Sequence, residues 1–344
     1  MYNYGKIVED LLAWYDEHAR VLPWRSNPKP YYVWVSEIML QQTRVEAVKE
    51  YFKRFIEALP DVETLANASE EKLLKLWEGL GYYNRVRNMQ AAAITIMEEY
   101  KGTIPSEYDE LLKLKGIGSY TAGAISSIAY GKRVPAVDGN VLRVMKRLAG
   151  SYDDIGKASV KKDLEETLGA IMPERAGAFN QAVMDIGAMV CIPNGQPLCE
   201  ECPLAKYCEA RKQDIVMELP VKVKKKARRV EEKTILLIEY QGKYALRKRA
   251  ARGLLAGLWE LPSVEGKCSR KEIGTVLKRQ MKEMKVEELG EAVHIFSHIE
   301  WDMTGYRISL AEPLEQADYV WASPQEVQEV YAVPTAFSKY LKQM

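Results

Sequence analysis

Four cysteines, Cys191, Cys199, Cys202 and Cys208, fall within 18 residues in the order C-x7-C-x2-C-x5-C, and Cys268 stands apart. Five cysteines are too few for a disulfide scaffold. Four clustered thiols can share a zinc ion or an iron–sulfur cluster. A zinc ribbon usually pairs two C-x2-C knuckles, and only one is present here. The uneven spacing therefore suits a [4Fe-4S] cubane better than zinc, with unliganded thiols as the remaining reading. Cys268 reads as a small apolar filler.

A second group of residues surrounds LLKLKGIGSYTAGAI (111–125), where Gly116 and Gly118 flank an apolar residue between two helical stretches. Glycines there permit positive φ and expose backbone N–H groups at a helix start, which can hold a DNA phosphate without reading sequence; an ordinary glycine turn is the bland alternative. Residues 111–149 carry seven bases and a single acid, Asp138. That acid sits between an apolar approach and a new helix in VPAVDGNVLRV. It reads equally as an N-cap or as an anion that steadies a cation formed on a substrate.

The elements that must position these groups are mostly helical from Lys6 to about Ala210. Ile38, Val45, Val48, Phe52, Phe55 and Leu59 follow a 3-4 rhythm. Ser36 is a candidate N-cap, which puts Glu37 in a first turn. Ser69 caps SEEKLLKLWEGLG, with Glu71 and Lys75 paired at i,i+4 and Gly79 and Gly81 ending the helix. Further helices are expected in RVRNMQAAAITIMEEY and SYTAGAISSIAYG, and no convincing strand before residue 215. Six bases and no acid occupy residues 221–230, which reads as an exposed linker. Beyond it, TILLIEY and YALRKR flank a turn at Gly242, VHIFSHIEWDM and YRISLAEPL flank a turn at Gly305, and KEIGTVLKRQMKEM is an amphipathic helix. The expected organisation is a mostly α domain over 1–215, a basic linker over 216–229 and a smaller α+β domain over 230–344.

The 344 residues are 47% hydrophobic and 28% charged, with a net charge of +1, an ordinary globular composition. No apolar run reaches the roughly 18 residues of a membrane helix, and the N-terminal segment has scattered acids and no signal-peptide core. The expectation is a cytoplasmic protein without membrane contact.

LPWR (22–25), SEIMLQQTRV (36–45), LWEGLGYYNRVRN (76–88), GIGSYTAGAI (116–125), VDGNV (137–141), FNQAVMDIGAMVC (179–191) and FSH (296–298) occur in this order. Together with the cysteines they make the chain resemble the helix-hairpin-helix DNA glycosylases that carry an iron–sulfur cluster, and among them the MutY-type adenine DNA glycosylases. The resemblance spans nearly the whole chain. One departure is visible: the first cysteine gap is seven residues, where the family usually has six.

The resemblance implies a helix-hairpin-helix glycosylase domain with a cluster loop, followed by a Nudix-like α+β domain. It implies excision of adenine opposite 8-oxoguanine or guanine in duplex DNA by base-excision repair, by a protein taken to be a monomer. Glu37 matches the acid that protonates adenine N7, a duty that requires a raised pKa at neutral pH. Asp138 matches the carboxylate that stabilises the developing oxocarbenium ion. Asn140 and Tyr120 match the groups that position these two. Glycosylase–lyases have a lysine where Tyr120 stands, because strand cutting needs an amine for a Schiff base. The resemblance therefore implies a monofunctional enzyme that leaves an abasic site.

Trp24, Arg25 and Gln181 match an adenine pocket, with a core tryptophan and a solvated helix glutamine as the plainer readings. Gln42 and Tyr82 match residues that probe or wedge the base stack, and Lys115 reads as a phosphate contact. Ser297, between Phe296 and His298, matches the reader of the oxidised base. The Nudix catalytic order of glycine, glutamates and arginine is missing from ELPSVEGKCSRKEIGTVLKRQMKEM, so the resemblance implies recognition of 8-oxoguanine without nucleotide hydrolysis. The near-neutral total conceals opposed regions, since residues 241–252 hold five bases and no acid while 301–330 hold six acids and one base. The basic segments are expected to face DNA and the acidic stretch to face away.

Overall fold

A computed structural model describes residues 2–223, 227–314 and 318–344. Residues 224–226 of the basic linker and 315–317 of the acidic stretch lie outside the described residues. The chain forms two compact units, one of residues 1–68 with 87–224 and the other of 69–86 with 225–344. The segment 69–86, which the sequence groups with the first domain, thus packs with the second.

The first unit is helical: α1 Val8–His18, α2 Pro30–Leu40, α3 Val45–Ala58, then, beyond α4 Glu70–Leu76 of the second unit, α5 Asn84–Glu99, α6 Tyr108–Lys113, α7 Ser119–Ala124, α8 Gly139–Ala149, α9 Ala158–Gly169 and α10 Ala176–Met189. α7 runs on into a π turn at Ile125–Ala129. α8 has a strongly one-sided apolar face that buries Val141, Leu142, Val144, Met145 and Leu148 against Phe179, Val183 and Ile186 of α10. That pairing fixes where α8 begins, and hence where Asp138 sits.

α2 corrects the first expectation. It starts at Pro30, whose fixed φ suits the first helical position, and buries eight of its eleven residues. A helix apolar on all sides belongs in the core. Ser36 is not an N-cap: it is buried in mid-helix and its hydroxyl donates to the Val33 carbonyl at 2.9 Å. Glu37 lies in the C-terminal half, not the first turn. The 3-4 rhythm is broken between α2 and α3 by a loop in which Gln42 has φ +62°.

The second unit holds a seven-stranded sheet in the order β3-β2-β1-β6-β5, with β4 on β1 and β7 on β2. The strands are β1 Arg229–Tyr240, β2 Lys243–Lys248, β3 Trp259–Glu260, β4 Ser263–Glu265, β5 Met284–Ile295, β6 Ile299–Leu310 and β7 Tyr319–Ala322. β1 and β6 are parallel and the other pairs antiparallel. Ile235 and Leu237 enter one core, with Trp301 and Phe337, and Leu236 and Ile238 enter another, with Tyr306 and Ile308. Burial on both faces explains the unbroken apolar run ILLI.

Three further expectations are overturned here. Gly305 is not in a turn but inside β6, because the Tyr340 ring lies on it: a Cβ there would stand 2.1 Å from Tyr340 Cε1. The turn is Phe296–Ile299, closed by the Phe296 amide on the Ile299 carbonyl at 2.8 Å. The long amphipathic helix is only α11 Ile273–Leu277, stopped by Lys278 at φ +54°; β5 already begins at Met284. Glu71 and Lys75 do not pair with each other: Glu71 meets Lys248 at 3.1 Å and Lys75 meets Glu78 at 2.6 Å.

The bases are also less free than their count suggests. Arg143 and Arg147 are buried, and Lys113, Lys132 and Lys146 pair with Glu110, Glu107 and Asp153. Arg247 and Arg249 both hold the buried Glu260. Lys115 is exposed.

Candidate active site

Glu37 is buried and lines a cavity of about 460 Å³ with Trp24, Tyr120, Asp138, Asn140 and Gln181. Burial, with a smaller push from the charge of Asp138, raises its carboxyl to about 7 against the opposing hydrogen bond from Tyr120 and the Arg25 charge. The negative end of the α2 dipole adds to the upward push, the reverse of what a first-turn position would do. The Tyr120 hydroxyl is 2.5 Å from Glu37 Oε2. Burial and the two acids hold that phenol well above its ordinary range, so it remains a donor. One carboxyl oxygen of Glu37 is therefore committed to accepting, and the proton belongs on the other.

Asp138 is the N-cap of α8 and also lines the cavity. As N-cap of α8, its Oδ1 accepts from the Val141 amide at 2.8 Å. Its Oδ2 accepts from Asn140 Nδ2 at 2.8 Å, and the residue lines the same cavity as Glu37. Asn140 is fixed in turn by Arg143, whose Nη2 donates to Asn140 Oδ1 at 3.1 Å and to the Gly187 carbonyl at 2.7 Å. The carboxylate thus points into the cavity from a rigid helix end.

The cavity wall shows what the sequence missed. Asp185 is fully buried and clasps two arginines: Arg25 donates from Nη1 at 2.7 Å and Nη2 at 2.9 Å, and Arg20 from Nε at 2.7 Å. Arg25 lines the cavity as expected, but its planar edge is spent on this carboxylate and holds the wall rather than reaching inward. No signal short of the fold marks Asp185, which sits at an ordinary position in α10. Trp24 is both pocket and core, since it lines the cavity and meets the Phe52 ring edge-on at 5.4 Å. Gln181 Nε2 donates to the Gly177 carbonyl at 3.1 Å. Gln42 is exposed at the cavity rim. Among the described residues, no lysine lines this space.

The glycines at 116–118 do different jobs. Gly116 has φ +81°, and a Cβ there would press on Asn88 at 2.7 Å; Gly118, the N-cap of α7, faces open space. Gly118 and Lys115 are both exposed. A third glycine escaped sequence reading: at Gly123 a Cβ would stand 2.2 Å from the Pro135 carbonyl oxygen. Only glycine lets α7, which carries Tyr120, pass this close to the strand-like approach to Asp138.

In the second unit, Ser297 and His298 are exposed at the tip between β5 and β6, while Phe296 is half-buried against Trp301 at 4.9 Å and His294 at 4.6 Å. Tyr82, with φ +48°, belongs to this unit, and its hydroxyl is 2.8 Å from Ser297 Oγ. The two residues expected to touch the base stack and its partner therefore already touch each other.

The four cysteines line one cavity beside α8 and α10, together with Val144, Leu148, Ile186 and Val190. Among the described residues, no three His, Cys, Asp or Glu side chains converge as ligands of a single ion. Burial and the neighbouring thiols push Cys202 up to about 12. Arg147 donates to Cys191 Sγ at 3.3 Å and to the Ile192 and Leu219 carbonyls at 3.0 and 2.8 Å. Lys206, the one base of the loop between Cys191 and Cys208, pairs with Asp10 at 2.8 Å.

Residues 35–169 match the family model of the HhH-GPD superfamily of base excision DNA repair proteins, and residues 234–343 match that of the NUDIX domain. The adenine DNA glycosylase of Buchnera aphidicola (subsp. Schizaphis graminum) is 35% identical, over 84% of this chain and 83% of its own length. That of Mus musculus is 35% identical over 88% of this chain and 70% of its own. That of Arabidopsis thaliana is 37% identical, but this chain spans only 55% of its length. Among solved structures, a thermostable thymine-DNA glycosylase superposes with a TM-score of 0.55 at 28% identity, covering 61% of this chain and 97% of its own. An endonuclease III bound to DNA gives 0.53 at 26%, covering 61% and 95%. Among the described residues no helix is long and apolar enough to cross a membrane.

Proposed function

Because this chain belongs to the adenine DNA glycosylase family, we propose that it hydrolyses the N-glycosidic bond of adenine paired with 8-oxoguanine or guanine in duplex DNA, leaving an abasic site. The observation that carries the reading is a buried acid and a helix-capping carboxylate, Glu37 and Asp138, lining one cavity with room for a flipped base.

The target adenine must leave the stack to enter that cavity. Trp24 supplies an aromatic wall and Gln181 an amide edge. Glu37, half protonated near pH 7, gives its proton to N7, which turns a poor leaving group into a neutral base. Asp138 lies where positive charge develops on the sugar and stabilises it, held in place by Asn140 and the Val141 amide. Water completes the hydrolysis. A Schiff base needs an amine, and Tyr120 offers a phenol instead, so the strand stays intact. Gly118 and Lys115 hold the backbone, Gln42 and Tyr82 probe the stack, and Ser297, flanked by Phe296 and His298, tests the N7–O8 edge of the partner base. In this reading the protein acts as a cytoplasmic monomer.

The cysteine set fits a [4Fe-4S] cluster. Four thiols share one cavity, burial raises the Cys199, Cys202 and Cys208 thiols so that their thiolates favour a cation between them, and Arg147 donates to the Cys191 sulfur. Bound there, the cluster would neutralise Cys191, Cys199, Cys202 and Cys208 and staple the loop to α8.

The test is single-turnover cleavage of duplexes carrying A:8-oxoguanine, A:G, A:C and T:G, with strand breakage scored before and after alkali. Adenine release from the first two, with breaks only after alkali, is expected. Breaks without alkali, or release of thymine in place of adenine, would overturn the assignment.

A further inference from the structure

The segment 69–86 packs with residues 225–344, and two charged residues make the attachment specific. Lys75 Nζ donates to the carbonyls of Val327 at 3.4 Å and Tyr331 at 3.0 Å, where α12 Pro324–Glu329 ends and leaves carbonyls without helical partners. The same ammonium is 2.6 Å from Glu78 Oε2, and Glu78 Oε1 accepts from the Val333 amide at 2.8 Å. One ion pair thus grips both sides of the chain leaving α12. Within the segment, Trp77 Nε1 donates to the Gly81 carbonyl at 3.0 Å. Arg85 Nη2 reaches the Leu80 and Gly81 carbonyls at 2.9 and 3.1 Å, and its guanidinium lies over the Trp77 and Tyr82 rings. The loop that presents Tyr82 is therefore stiff, and its place is set from outside by Lys75 and Glu78.

We propose that Lys75 and Glu78 are positioning residues for recognition of the partner base: they hold the Tyr82 loop in register with the Ser297 turn, so that the 2.8 Å contact between the two hydroxyls exists before DNA arrives. Neither residue touches the reacting base. This inference rests on the reading of Ser297 as the test of 8-oxoguanine. Both partners of the pair are mostly sheltered, with side chains 20% and 26% exposed, so their hydrogen bonds are charge-assisted ones that matter more than a surface pair.

Lys75→Met removes the donors, Lys75→Arg keeps two donors for the same carbonyls, and Glu78→Gln keeps the Val333 bond but not the charge. In the full-length protein, the ratio of single-turnover rates on A:8-oxoguanine and A:G is the readout. Losing a charge-assisted bond of this kind corresponds to about a tenfold effect. The ratio should fall about tenfold in Lys75→Met and less in Glu78→Gln, through slower turnover of A:8-oxoguanine with A:G unchanged, and Lys75→Arg should restore it. Unchanged ratios overturn the inference. So does an equal loss on both substrates, which would make the pair a stability strut only. Should Lys75→Met not fold, the milder Glu78→Gln decides by the same ratio. Absence of adenine release by the unmutated protein would instead sink the functional reading itself, before any variant is made.

Discussion

Replacing Glu37 by glutamine should destroy activity and stabilise the protein, with the stabilisation growing as pH rises. The carboxyl titrates near 7 in the folded chain against an ordinary value of 4.5. The folded state therefore binds this proton more tightly than the unfolded state, so the group's favourable contribution is complete below about pH 4.5 and is lost as pH rises through 7. At about 1.4 kcal/mol per pH unit, a shift from 4.5 to about 7 makes the ionised, buried Glu37 cost about 3 kcal/mol at pH 8.5. Glutamine is close to isosteric with the protonated acid and can accept the Tyr120 hydrogen bond through its carbonyl oxygen, so it escapes that cost.

Denaturant unfolding of the two proteins at pH 5 and pH 8.5 measures this directly. An advantage of about 1 kcal/mol or less for Glu37→Gln is expected at the lower pH and about 3 kcal/mol at the higher, the latter equivalent to a melting-temperature gain of about 6–12 °C for a unit of this size. In parallel, the single-turnover rate of the unmutated protein should fall about tenfold per pH unit above 7, as its general acid is titrated away. Equal stability of the two proteins at pH 8.5 would mean that burial does not hold Glu37 protonated, and the acid role would lose its physical basis. A glutamine variant within tenfold of the normal rate would mean that another group protonates the base.

Asp138→Asn separates capping from chemistry: asparagine caps as well as aspartate, so stability should change by less than about 0.5 kcal/mol while the single-turnover rate falls at least about 100-fold. Full activity in that variant would remove the electrostatic role. Asp185→Asn leaves Arg20 and Arg25 without their buried counter-charge and should cost about 3–5 kcal/mol by denaturant unfolding, with weaker substrate binding as the cavity wall loosens. Normal stability would show that the clasp is replaceable. Gly123→Ala must push α7 off the Pro135 carbonyl, so a loss of about 1–3 kcal/mol is expected, with the excision rate lowered as Tyr120 shifts. An unchanged rate would mean that this approach does not set the Tyr120–Glu37 geometry.

Much of the helical part of the chain is legible in the sequence because its elements are local. Ser69 caps its helix through a side-chain bond to the Lys72 amide at 3.3 Å, Asp138 caps α8, and the Gly116–Gly118 turn lies between α6 and α7. The failures share a cause. Ser36 has the right type for a cap and Gly305 the right type for a turn, but distant residues decide both: the core that takes the whole of α2, and the Tyr340 ring lying on β6. Glu71 and Lys75 have the right spacing for a pair, yet each finds a partner elsewhere.

The same contrast runs through the site. Residue type nominates Glu37 and Asp138, but the feature that makes Glu37 an acid at neutral pH is burial in the last turns of an apolar helix. A cap at Ser36 would put Glu37 in a first turn, where the dipole lowers a carboxyl pKa instead. The supporting shell is less legible still, because Asp185, Arg143 and Gly123 act through partners 20 or more residues removed or through a backbone approach that leaves no side-chain signature. Arg143 joins these levels: one guanidinium binds Asn140, the Gly187 carbonyl and, through Nε at 3.0 Å, the Cys191 carbonyl. A basic residue counted from composition in a region expected to face DNA is, in the fold, the brace between the Asp138–Asn140 pair at the cavity and the first residue of the cysteine loop. Charge counts find regions that meet DNA only after the buried bases are subtracted, and that subtraction needs the packing of α8 on α10.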